Sequence, residues 1–193
     1  MKTLSILILL VSAISLNTCW SSYNEGSDCS QISEGSEFFT TFDQVHPTQA
    51  VFGKRAISRN IKKIHKAYKK NKLESFLKEK FAPVVVGPNC MLYIIDRHHT
   101  SYSILTSDLP DELKKLFIII KHNWSGLEQE EFEKRMIENK YTWLKNERNQ
   151  KIEFSDLPTS ILDLVDYPHR SLAWKVRREG GFNKVDLPFL EFF

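Results

Sequence analysis

The chain of 193 residues is 41% hydrophobic, 26% charged and 12% aromatic, with seven Gly and seven Pro, which excludes collagen-like, low-complexity and wholly disordered chains. That length predicts one globular domain able to bury a core without help from metals, and three Cys cannot make a disulfide scaffold. A formal charge of +3 argues on its own for neither nucleic acid nor anionic lipid as a partner, so any electrostatic case has to come from local patches.

Lys2 precedes an apolar run from Leu4 to Leu16, and the small and polar residues Asn17 to Ser22 follow it. This is the pattern of a secretory signal peptide over residues 1–22, and the run is too short to span a hydrocarbon layer of roughly 30 Å. The competing reading, a buried N-terminal helix, lacks both a cap and an amphipathic period. The expected location is therefore secreted or periplasmic. A lipoprotein anchored at Cys19 is the alternative, although Leu16-Asn17-Thr18 is a poor lipoprotein signal. Cleavage beyond Cys19 leaves Cys29 and Cys90, which an oxidising compartment can join, and their spacing does not say whether they meet. Residues 23–37 hold Glu25, Asp28, Glu34 and Glu37 and no cation, which predicts a flexible acidic leader. The domain then occupies residues 38–193.

From Phe52 to Phe81 there are eleven Lys and Arg residues against Glu74 and Glu79. Ile57, Ile61, Ile64, Ala67 and Tyr68 recur there at steps of three and four, one face of a helix with lysines on the other. That basic face is either solvated or a phosphate or nucleic-acid surface. Pro83 to Gly87 and Met91 to Asp96 are short apolar runs rich in β-branched residues around Gly87-Pro88-Asn89-Cys90, which predicts a β-hairpin. Alternation stops at Arg97, where a helix can begin. Ser107 or Asp108 caps a further predicted helix with Pro110 in its first turn, and Leu116 to Ile120 reads as a strand. Ser125-Gly126-Leu127-Glu128 fits a capping box for a helix from Leu127 to about Asn139, with Phe132 and Met136 inward. Tyr141 to Leu144 is extended, Pro158 stands near the start of a short helix, and Asp166-Tyr167-Pro168 opens another that Gly180-Gly181 stops.

The segment Tyr93-Ile94-Ile95-Asp96-Arg97-His98-His99 carries the most chemistry. A strand-to-helix junction sets Arg97 and two imidazoles beside the unpaired N–H groups of a helix N-terminus, an arrangement that favours an anion. His98 or His99 can act as general acid or base with Asp96 orienting one ring. The bland alternative packs one His under the hairpin and leaves the other solvated. His46, His65, His122 and His169 show no zinc spacing, so no metal ligands are assigned and the cofactor stays unknown. On the C-terminal helix Arg170 and Arg177 share one face, either solvated or ion-paired, and Trp124, Trp143 and Trp174 read as packing residues rather than a base-stacking platform.

Val45-His46-Pro47-Thr48-Gln49 with Gly53-Lys54, then Pro83 to Pro88, then Tyr93 to His99, resemble the ParB-like nuclease family of the ParB/sulfiredoxin superfamily. Asp166-Tyr167-Pro168-His169-Arg170-Ser171-Leu172-Ala173-Trp174, with Arg177, Gly180-Gly181-Phe182, Lys184 and Pro188 to Phe192, resembles that family's ending. The resemblance runs from about Phe42 to the last residue. It implies an α+β fold, a small mixed sheet with flanking helices and a helical C-terminal extension, and a phosphate-handling corner between a strand and the following helix. Carried over, Asp96, Arg97, His98 and His99 occupy the place of the phosphate-contacting motif, with Asp96, His98 and His99 as the expected catalytic residues, and Gln49, Gly53 and Lys54 belong to the facing motif, so that Gln49, Lys54, Arg97 and Arg170 are the expected phosphate-binding residues. Arg170, in the C-terminal motif, is the alternative neighbour of the His pair.

The chain departs from its relatives in two places. The Gly-Glu-Arg-Arg signature of partition proteins and the arginines after it are missing, since Thr100 and Ser101 follow His99, and the catalytic Cys of sulfiredoxin is absent. Chromosome partition and peroxiredoxin repair are therefore set aside. The expected function is an exported phosphate- or nucleotide-handling protein, with phosphodiester hydrolysis by the Asp-Arg-His-His motif as the enzymatic form. A non-catalytic nucleotide- or protein-binding module is the alternative, and a nucleotide, a phosphorylated ligand or nucleic acid is the expected partner. With Asp96 as the motif's lone carboxylate, an EDTA-insensitive activity or none is expected.

Overall fold

The structure, a computed structural model, describes residues 29–183; the signal-peptide and lipoprotein readings fall outside those residues. Five strands form a mixed sheet: β1 (Glu37–Thr40), β2 (Val45–Pro47), β4 (Ala82–Val86), β5 (Leu92–Ile94) and β6 (Leu116–Asn123), in the order β1-β6-β4-β5-β2. The pairs β1/β6 and β4/β5 are antiparallel, while β4/β6 and β2/β5 are parallel. Two short strands, β3 (Val51–Phe52) and β7 (Val165–Asp166), make a separate parallel pair.

The hairpin forms where the β-branched runs predicted it, with Val84 opposite Ile94 and Val86 opposite Leu92. Alternation along β4 divides the core between the sheet's two faces. Val84 and Val86 point into one cluster with Ile118 and Ile120, Ile64 of helix α1 (Ile57–Lys69), Leu77 of α2 (Leu73–Glu79) and Ile104 of α3 (His98–Leu105). Val85 points the other way, onto Phe132 and Met136 of α4 (Gln129–Glu138), with Ile95 and Phe154 completing that layer. Both faces are therefore covered, and Val84, Val85 and Val86 have no exposed surface. Burying such side chains contributes about 1.5–3 kcal/mol each.

The acidic leader expected over 23–37 gives way to fold well before its end. Cys29 is buried and disulfide-bonded to Cys90. The Asn123 amide donates to the carbonyls of Cys29 and Ile32, the Gly35 N–H donates to the Ile120 carbonyl at 2.8 Å, and the Ile120 N–H donates to Ser36. The segment thus runs along β6, held by hydrogen bonds and a cross-link that its low hydrophobicity does not reveal.

Two helix starts also differ. Asp111–Leu113 is a single 3₁₀ turn, because β6 begins at Leu116 and leaves no length for a helix. Helix α4 starts at Gln129 with Glu128 as its N-cap, since the Leu127 N–H closes a turn on Trp124 and the Ser125 N–H bonds the Asn123 side chain. At the C-terminal side, α5 (Pro168–Arg178) begins with Pro in its first turn and is followed by Gly180 at φ +86°, the left-handed conformation that suits glycine after a helix.

Candidate functional site: a cationic cavity at the start of α3

The β5-to-α3 corner is built by a backbone conformation that non-glycine residues seldom adopt. Arg97 sits at φ 71°, ψ 15° as the N-cap of α3, a left-handed conformation that costs roughly 1–2 kcal/mol. The Asp96 carboxylate accepts the Arg97 N–H at 2.6 Å, which holds the chain in that turn. Asp96 therefore spends one oxygen on the backbone rather than on a histidine ring, and its other oxygen lies 4.0 Å from Arg97 Nε.

The two histidines diverge from this point. His98 is 3% exposed, and its Nε2 accepts the Thr48 N–H at 3.2 Å. His99 is half-buried, and its Nε2 accepts the Gly53 N–H at 3.2 Å. Both bonds require an unprotonated Nε2, so each neutral ring carries its proton on Nδ1. Burial, and then the Arg170 guanidinium, hold His98 well below the ordinary imidazole range, and the same two causes bring His99 down to about 4. Both rings are neutral at pH 7.

Helix α5 closes the corner from the other side. Its neighbour β7 pairs with β3, the Tyr167 N–H donates to the Phe52 carbonyl at 2.7 Å, and the Lys54 N–H donates to Asp166 Oδ1 at 2.8 Å. Gly53 permits the approach, because a Cβ there would stand 2.8 Å from Ser171 Oγ and 2.9 Å from Ser171 N. Arg170, 5% exposed, donates from Nη1 to Gln49 Oε1 at 2.8 Å and to the Val51 carbonyl at 3.0 Å.

Between α1, the α3 N-terminus and α5 lies a cavity of about 390 Å³, within the range of small-molecule sites. Arg55, Lys63, Lys80, Arg97, Arg170 and Arg177 line it, and the one acid among the lining residues is Asp96. His99, Thr100, Ser171 and Trp174 are also part of its wall. A helix N-terminus, whose first N–H groups lack intrahelical partners, adds to the positive potential. Among the described residues no three His, Cys, Asp or Glu side chains gather as a metal-binding group.

The expected site residues separate into two sets. Asp96, Arg97, His99 and Arg170 line the cavity together. His98 and Gln49 are buried behind it, bonded to Thr48 and Arg170, and of the exposed neighbours Lys54 and Arg55 it is Arg55 that lines the cavity. Arg55, Lys63, Lys80 and Arg177 were not singled out as ligands by the sequence. The signal toward Arg55, Lys63 and Lys80 was the basic run over Phe52–Phe81, in which Lys63 lines the cavity and Lys62, Lys66 and Lys69 do not, and the signal toward Arg177 was the helix face it shares with Arg170.

Fold and site together define a mixed α/β protein with a cationic cavity at a strand-to-helix corner. The family model described as "Putative ParB-like nuclease" matches residues 39–193, so the chain belongs to the ParB-like nuclease family. Membership supports a nuclease-like or nucleotide-binding role. The chain is also similar to protein Atu1540 from Agrobacterium tumefaciens, known as a crystal structure, with a TM-score of 0.67 and 26% identity over 81% of this chain and 76% of that one. No curated protein matches significantly. Among the described residues no helix is long and apolar enough to cross a membrane.

Proposed function

We propose that the cavity at the start of α3 binds the phosphate of a nucleotide or other phosphorylated ligand, in an exported protein. The observation that carries this reading is the gathering of six cations against one carboxylate around a helix N-terminus, the environment an anion seeks. Arg97 and Arg177 offer guanidinium forks to phosphate oxygens, Lys63 adds a point charge, Lys80 shares its own with Glu79, and Arg170 is held by Gln49 and Val51. His99 contributes a neutral ring whose Nδ1–H is a donor, and His98 supports the corner from behind.

With both imidazoles unprotonated at neutral pH and each Nε2 lone pair taken by a backbone N–H, neither is a ready general acid or base, which favours binding and charge stabilisation of a phosphoryl group over His-driven chemistry. Phosphodiester hydrolysis is the second reading. Asp96 favours it, as a carboxylate on the same wall able to take a proton from an attacking water.

A thermal-shift screen of the purified mature chain against nucleotides, phosphoamino acids and inorganic phosphate tests the binding. A ligand at 100 times its Kd should stabilise by about 2.7 kcal/mol, and no shift with any of them removes the reading. Export is supported by the Leu4 to Leu16 run and by a disulfide between Cys29 and Cys90, which suits an oxidising compartment. Mass spectrometry of extracellular or periplasmic material should find the mature N-terminus between Leu16 and Tyr23; intact Met1 contradicts it.

A further inference from the structure

We infer that Trp174 is the base-stacking platform of this cavity, so that its ligand is a nucleotide unit, a nucleoside with its phosphates, rather than a bare phosphate or polyphosphate. The inference rests on the phosphate reading above and adds a second subsite to it.

Helix α5 presents Arg170, Ser171, Trp174 and Arg177 to the cavity, a stripe at the spacing of one helix face. Trp174 lies four residues beyond Arg170, about 6 Å along the axis, an offset comparable with the reach from a 5′-phosphate to its base. The guanidinium of Arg178 covers one face of the indole, 4.8 Å from its centroid. Trp174 lines the cavity and Arg178 does not, which leaves the indole's opposite face for a base in the stacking arrangement inferred here. The half-buried indole, with a cation over one face, offers an apolar surface among groups that otherwise select for charge. A site for inorganic phosphate has no use for such a surface. A nucleobase does, because every base has a π-face that stacks on an aromatic ring. The other described tryptophans are engaged elsewhere: Trp143 is buried, and Trp124 stacks on His122 at 4.9 Å.

The test compares ADP and CDP with inorganic pyrophosphate, which carries similar charge and no base, by calorimetric titration of the full mature chain. Wild type should bind the nucleoside diphosphates roughly 5- to 150-fold more tightly than pyrophosphate, the range of base–aromatic stacking. Trp174→Leu should erase that gap and leave pyrophosphate affinity within about twofold, and Trp174→Phe, which keeps a ring, should restore most of it. Binding should also quench fluorescence in wild type more than in Trp174→Phe. A 5′-phosphorylated dinucleotide separates a strand end from a free nucleotide as the source, and the loss on Trp174→Leu is expected for both. Equal affinity of wild type for pyrophosphate and the nucleotides, or a gap that survives Trp174→Leu, overturns the stacking subsite while leaving the phosphate corner intact. Failure of every anion to bind overturns the phosphate reading and this one with it.

Discussion

Acidification should destabilise this protein through its histidine pair, because the fold holds both imidazoles neutral. His99 ionises in the folded chain at about 4, against 6.5 for an ordinary imidazole. The unfolded chain therefore takes up the proton first, so His99's contribution is fully present above about pH 6.5 and is lost as pH falls toward 4. The gap amounts to about 3.5 kcal/mol at about 1.4 kcal/mol per pH unit, and about 2 kcal/mol of it is gone by pH 5. His98 is depressed further by its burial and acts in the same direction. The assay is urea denaturation followed by tryptophan fluorescence at about pH 8 and pH 5 in phosphate-free buffer, for wild type, His99→Gln and His98→Gln/His99→Gln. Glutamine keeps an acceptor for the Gly53 N–H and removes the titration. Wild type should lose about 2 kcal/mol more than His99→Gln over that interval, and the double variant should lose least of all. Parallel losses in all three proteins would refute the claim that these imidazoles are held neutral by the fold.

Reduction of the Cys29–Cys90 disulfide, which closes a separation of 61 residues, should destabilise the chain by about 4 kcal/mol on a loop-entropy basis; coincident urea curves with and without reductant contradict this. Gly53→Ala should cost about 1–3 kcal/mol and weaken phosphate binding, because the new Cβ meets the Ser171 backbone nitrogen at 2.9 Å and pushes α5 off the corner; unchanged affinity and stability on titration and melting would show that the approach is not tight. Arg97→Gly removes a left-handed backbone penalty along with the side chain, so stability should stay within about 1 kcal/mol while anion affinity falls at least about tenfold. An equal fall in stability would mark Arg97 as structural.

The sheet's centre could be read from the sequence because its cause is local. Val84 to Val86 and Leu92 to Ile94 are β-branched or apolar runs around a turn, and Phe132 and Met136 sit at helical spacing. Pro168 and Gly180 mark both ends of α5 through backbone constraints that need no tertiary context. The site was legible in part for the same reason: Asp96, Arg97 and His99 belong to one corner that a strand-to-helix junction defines. What escaped depends on partners far away in the chain. His98 is drawn inward by the Thr48 N–H, 50 residues distant, and Gln49 meets Arg170 across 121, separations about which motif spacing is silent. Lys63 looks like its solvated neighbours in one dimension, and the packing of α1 beside α3 is what turns it toward the cavity. Trp174 reads as core because an aromatic at helical spacing usually is, and here α5 lies along a concavity rather than a core.

Whether a phosphate sits at the start of α3 is decided by a crystal structure of the mature chain grown with ADP. Phosphate oxygens should lie within hydrogen-bonding distance of the first-turn N–H groups of α3 and of the Arg97 or Arg177 guanidinium. Phosphate density along the solvated Lys62, Lys66 and Lys69 face, with the α3 corner holding none, would contradict this placement.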